Sequence, residues 1–125
     1  MSGGKHAGMD TREGGLLRWQ WSIYPDGHHD RRNLTIHAAT NPLFLAGTCA
    51  LVASPLAGVA FAVAGPLAMI AAMAAQGRGH KLEQKAPVPF RGPGDLIARF
   101  FAEQWVTFPR FVFSGGFAAA WRESR

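Results

Sequence analysis

NLTIHAATNPLFLAGTCALVASPLAGVAFAVAGPLAMIAAMAAQG, residues 33–77, contains no Lys, Arg, Asp or Glu. A helix rising 1.5 Å per residue needs about 20 apolar residues to cross the hydrocarbon of a bilayer. The uncharged run is about 45 residues long, enough for two crossings. Ser54-Pro55 interrupts it near its middle, so the expected spans are 34–54 and 56–77. Pro42 and Pro66 fall inside them, which membrane helices tolerate when neighbours satisfy the freed carbonyls. Ala, Gly and Ser are abundant in both halves, and small side chains let two helices approach closely. The fold expected is an all-α integral membrane bundle: a central transmembrane hairpin followed by C-terminal amphipathic or membrane helices.

The rest of the composition agrees. In 125 residues, 48% are hydrophobic and 17% charged, against roughly 25% charged in an ordinary soluble domain. The net charge is +5, but the basic residues lie at the flanks of the apolar run, where they set topology and anchor headgroups. No basic helix or aromatic sheet suits nucleic acid. The single cysteine, Cys49, excludes a disulfide scaffold; among apolar neighbours it reads as a small packed hydrophobe. No Walker loop, nucleophile elbow, Cys-x-x-Cys pair or dinucleotide fingerprint is present.

Two regions divide the chain. Residues 1–14, Gly-rich and polar, read as a disordered tail without the apolar stretch of a signal peptide, with His6 incidental. Residues 15–125 form one membrane domain. Leu16 to Tyr24 is a short amphipathic segment whose Trp19, Trp21 and Tyr24 suit equally a membrane interface or packing against the helices. Pro25-Asp26-Gly27 signals a turn, and Asp30 or Asn33 can cap the next helix. Ala86 to Gly94 reads as a loop, and Asp95 as the cap of a further helix. The C-terminal helices, about 95–121, read equally as interfacial or as short spans.

Arg12, Arg18, Arg31 and Arg32 precede the hairpin, and Arg78, Lys81, Lys85 and Arg91 follow it, whereas its tip is uncharged. The positive-inside bias then puts both ends on the cytoplasmic side of a cytoplasmic membrane. A hairpin returns its chain to the face where it entered. The start of the first span (His28, His29, His37) and the end of the second (His80, Glu83) should therefore meet. His28 and His37 are nine residues apart, nearly opposite on one continuous helix. Either His29 joins His37, or His28 reaches in from the turn. His80 and Glu83, three apart, can share a face. Two histidines and a carboxylate with open positions suit non-haem Fe(II), and three histidines with water suit zinc.

Tyr24 followed by HHDRRNLTIH (His28 to His37) and Pro42 resembles the Tyr…His-x4-Asn-x3-His…Pro signature of the Mpo-like family. Gly79-His80, Glu83 and Pro87 resemble its second motif. The similarity runs from about Leu16 to Phe113, with a shorter chain and a His–Glu spacing of three where the fungal pattern has four. The resemblance implies an Fe(II)-dependent dioxygenase of fatty acid α-oxidation, shortening a 2-hydroxy fatty acid by one carbon with molecular oxygen at the membrane. Carried over, His28, His37 and His80 would hold iron, Glu83 would be a fourth ligand or an orienter of one, and Asn33 would support a ligand or substrate. His29 matches a position that is histidine in only some members, so it is a weaker candidate. Two other readings use the same residues: a zinc-dependent membrane hydrolase, and a non-enzymatic membrane protein of lipid organisation whose histidines are interfacial.

Overall fold

The computed structural model describes residues 12–124. All its regular elements there are helical: α1 (Leu16–Ile23), a 3₁₀ turn (Tyr24–Gly27), α2 (Arg31–Ala57), α3 (Val59–Lys81), α4 (Pro93–Ala102), a π-helical turn (Glu103–Thr107), α5 (Phe108–Phe113) and α6 (Gly116–Glu123). α2 and α3 form the antiparallel hairpin, and the shorter helices pack around its open end.

The hairpin turns three residues later than the sequence suggests. α2 runs through Ser54-Pro55 and stops at Gly58, whose φ of 113° lies in the region that favours glycine. Pro55 cannot donate to the carbonyl four residues back; the Ser54 hydroxyl donates to that carbonyl, on Leu51, at 2.7 Å. The helix therefore survives its proline. The two helices cross where Gly47 meets Gly65. A Cβ on Gly65 would lie 2.6 Å from the Gly47 carbonyl oxygen, and one on Gly47 would lie 2.7 Å from that of Gly65. Only glycine at both positions permits this approach.

α2 and α3 are each long and apolar enough to cross a membrane. Their most apolar stretches are only 22% and 17% buried, unlike the core helices of a soluble domain. Leu56, Val59 and Val52 stand almost bare, and an apolar belt of this kind suits hydrocarbon. Cys49 is on this outer surface as well, exposed rather than packed.

The polar minority of the C-terminal segment is turned inward. Arg99, Glu103 and Gln104 are buried, whereas Ile97, Trp105 and Val106 are exposed. α4 begins at Pro93, a proline suited to the first helical turn, so Asp95 is inside the first turn and not the cap. Its carboxylate accepts from the Arg91 amide at 2.9 Å and pairs with Arg12. Of the expected N-terminal tail, residues 1–11 (with His6) lie outside the described residues, and Arg12 is latched to α4 and stacked 4.5 Å over Trp19.

Two predictions follow from this packing. Gly65→Val should destabilise the protein by about 1–3 kcal/mol through overpacking, while Gly94→Ala, where a Cβ meets nothing within 4 Å, should cost nothing; thermal unfolding in detergent reads both. The Arg12 hydrogen bond holds the Asp95 carboxyl well below the usual carboxylate range. The latch should therefore be intact at neutral pH and weaken as acid protonates Asp95. Asp95→Asn should abolish that acid sensitivity in Trp fluorescence.

Candidate metal centre

Asp30 is the cap of α2: its side chain accepts from the Arg32 amide at 2.8 Å. Beginning at Arg31, the helix excludes His28 from its own face and places His37 two turns in. His28 lies just after the 3₁₀ turn, with φ −137° and ψ 62°, and enters from outside the helix. His80 comes from the last turn of α3. Their rings form a near-equilateral triangle, with centroids 4.9 Å (His28–His37), 5.1 Å (His28–His80) and 5.0 Å (His37–His80) apart, each pair within 10° of perpendicular at 84°, 81° and 82°.

The fourth member is Glu103. Its Oε2 is 3.3 Å from His37 Nε2 and 3.7 Å from His28 Nε2. One donor atom from each of His28, His37, His80 and Glu103 can be chosen so that all lie within 4.8 Å of one another, close to the ~4.2 Å reached by two ligands at ~2.1 Å from one ion.

The tautomers follow from the neighbours. His28 Nδ1 is 2.6 Å from the Tyr24 carbonyl oxygen, and His37 Nδ1 is 3.0 Å from that of Asn33. A carbonyl can only accept, so each Nδ1 carries the proton. Each ring then turns its Nε2 to the centre, where both nitrogens are buried without a hydrogen-bond partner. An orphaned buried polar atom costs roughly 1–3 kcal/mol. A ring whose far nitrogen is fixed by a carbonyl is also the usual preparation of a histidine for a metal. The donor set and its orphaned atoms fit a transition-metal ion.

Burial by itself would raise the Glu103 carboxyl, but positive charge and hydrogen-bond donation at the His28 and His37 positions outweigh it and hold the group well below its ordinary value; a cation bound between the bare nitrogens would supply that charge. Tyr24 donates to Glu103 Oε2 at 2.8 Å and stacks on His28 at 3.9 Å. Burial, then the Glu103 charge, pushes the phenol well above its usual range, so it remains a donor.

Glu83 is near the centre but turned to the backbone. Its carboxylate accepts from the His29 amide at 2.8 Å, the Asp30 amide at 3.0 Å and Asn33 Nδ2 at 2.7 Å. This ties the end of α3 to the residues immediately after His28 and orients that side chain. Asn33 also donates to the Gly27 carbonyl at 3.2 Å. Its Oδ1 lies over Gly79, where a Cβ would come within 2.2 Å. Hence the Gly-His pair at the end of α3: any larger residue at 79 would displace Asn33. His29 contributes its amide, and the residue is exposed, outside the cluster.

Buried amides hold Glu103 in place. Gln104 donates to Gln76 Oε1 at 2.7 Å, and Asn41 donates to the Gln104 backbone carbonyl at 2.8 Å. In the π turn that carbonyl would pair with residue 109, which is proline and has no N–H to give. Gln20 donates to the Arg99 carbonyl at 3.0 Å and accepts from Thr107. The irregular turn carrying Glu103 is thereby pinned to α1, α2 and α3. In the sequence Glu103 is one of the polar minority of an amphipathic segment with Arg99 and Gln104, and nothing in its spacing links it to the histidines.

A cleft of about 270 Å³ opens beside His28, His80 and Glu103. Ile23, Met73, Val88, Leu96 and Phe100 supply much of its apolar wall, with Lys85 and Arg99 among its cationic residues.

No known protein family, curated protein or solved structure matches the chain.

Glu103→Ala and Glu83→Ala should separate the two carboxylates. Glu103→Ala removes a donor and should abolish stoichiometric metal. Glu83→Ala removes an orienter and should weaken metal affinity by about 10–100-fold. Metal titration of the purified variants distinguishes them.

Proposed function

We propose that this protein is a membrane-bound Fe(II)-dependent dioxygenase that shortens 2-hydroxy fatty acids by one carbon. The observation that carries the reading is the pair of bare, buried Nε2 atoms on His28 and His37 directed at the same point as His80 and Glu103. The Tyr24…His28…Asn33…His37 and Gly79-His80…Glu83 patterns, which resemble the Mpo-like signature, supply the substrate class. Four protein donors would complete a tetrahedral zinc ion, whereas a six-coordinate iron keeps two positions for reactants. Bound iron would supply the electron transfer to dioxygen that the spin-paired hydroxy acid cannot undergo unaided. The overall change balances as 2-hydroxy acid plus O₂ giving the acid one carbon shorter, CO₂ and water.

The chain's own residues have definable tasks. His28, His37, His80 and Glu103 would hold the ion, and Tyr24 holds Glu103 by its hydroxyl. Glu83 and Asn33 fix the His28 backbone against the end of α3. Leu34, Phe108 and Phe111 pack with Tyr24 and exclude water from the buried side. Lys85, on the cleft wall and paired with Asp26 at 3.4 Å, is exposed enough to exchange that partner for a substrate carboxylate. α2 and α3 would span the cytoplasmic membrane with the basic ends and the cluster at the cytoplasmic face.

Protein purified from membranes should carry about one iron per chain and convert 2-hydroxypalmitate to pentadecanoate only when oxygen is present. His37→Ala and His80→Ala should each lose both properties. Stoichiometric zinc with hydrolytic activity would favour the hydrolase, and full conversion by both variants would remove the centre from the chemistry.

A further inference from the structure

Four glycines of the hairpin differ in what surrounds them. Gly47, Gly65 and Gly79 are each pressed against a neighbour that a Cβ would strike. Gly77 is not: a Cβ there would meet nothing within 4 Å, although Gly77 is within α3 and lines the cleft. Glycine inside a helix weakens it relative to alanine, and at this position no packing within the protein compensates. The space where its side chain would stand belongs to the cleft.

Met73, Gly77 and His80 are spaced four and three residues apart, so they lie along one stripe of α3. The stripe leads from a member of the cluster back along the helix, about 10 Å at 1.5 Å per residue, toward the apolar middle of the hairpin. Phe100 and Leu96 of α4 also line this cleft. The polar end of the path has His80 and Glu103, the candidate ion site, with Arg99 and the Lys85–Asp26 pair (3.4 Å) on its wall; the other end is apolar. An occupant with an anionic head and a single hydrocarbon tail matches both ends. Because α3 is one of the two helices suited to a bilayer, the tail would point inward from the membrane face, as it does in a lipid leaflet.

We infer that the cleft seats one acyl chain of a single-tailed anionic amphiphile, and that Gly77, by having no side chain, sets the width through which the chain passes. The inference rests on the reading of the cluster given under Proposed function, and names the route and the specificity-determining residue of that site. Gly77→Ala narrows the passage slightly, Gly77→Leu further, and Gly77→Phe closes it, each without meeting other protein atoms at Cβ.

The test is photo-crosslinking in phospholipid nanodiscs, with 2-hydroxypalmitate carrying a mid-chain diazirine and the labelled residues mapped by mass spectrometry. Wild-type protein should be labelled at Met73 and in the Leu96–Phe100 segment. Gly77→Ala should retain at least half of that labelling, Gly77→Leu should lose most of it, and Gly77→Phe should lose at least tenfold, with helical content and metal per chain unchanged. Labelling spread over the outward residues Val52, Leu56 and Val63, equal in wild type and Gly77→Leu, overturns the inference. Metal content separates the two claims. Cleft labelling in a metal-free protein contradicts the iron reading and upholds the chain seat. Stoichiometric iron without cleft labelling does the reverse.

Discussion

Bare imidazole nitrogens held out of water, facing a buried carboxylate, are the constraint around which this protein is built. His28 and His37 each commit their Nδ1 proton to a backbone carbonyl, leaving Nε2 without a hydrogen-bond partner. Desolvating such atoms is unfavourable, and so is burying Glu103 unless a positive charge balances it. Two orphaned nitrogens and a carboxylate at one point would all be satisfied by one cation that accepts lone pairs from each of them.

The surrounding architecture keeps that point rigid. The Gly47–Gly65 crossing fixes how closely α2 and α3 approach, and so how far apart His37 and His80 can be. Glu83 joins the end of α3 to the chain leading into α2, fixing the backbone beside His28. In the π turn at Glu103–Thr107 the Gln104 carbonyl is taken up by the Asn41 side-chain amide, and Gln20 bonds the Arg99 carbonyl just before it. A widened helical turn of this kind is common at functional sites. Here it lets Glu103 point at the histidines while Gln104 bonds across the hairpin to Gln76. The bundle interior therefore holds many polar side chains beside its small aromatic core, and many large apolar side chains of α2 and α3 face outward, an arrangement that suits hydrocarbon.

Much of this is legible in the sequence. The charge-free run with its basic ends fixes the hairpin, and the hairpin alone brings His80 to the level of His28 and His37. The choice of His28 over His29 depends on where α2 starts, and the capping by Asp30 decides it. The role of Glu83 is harder to read. Its three-residue spacing from His80 suits a shared face only while the helix lasts, and α3 ends at Lys81, which frees Glu83 to take backbone amides. Glu103 is hidden for a different reason. It sits among the polar minority of a segment that resembles an ordinary amphipathic helix, and only the knowledge that this helix packs polar side inward brings it to the cluster. The extension of α2 past Pro55 is a local matter of one serine hydroxyl satisfying one carbonyl.

The most direct test of the account is the X-ray absorption spectrum at the iron edge of protein purified from membranes. Iron held by the cluster gives a first shell of nitrogen and oxygen, with multiple scattering from about three imidazole rings. A first shell of sulfur, or of oxygen alone with no imidazole scattering, would contradict it.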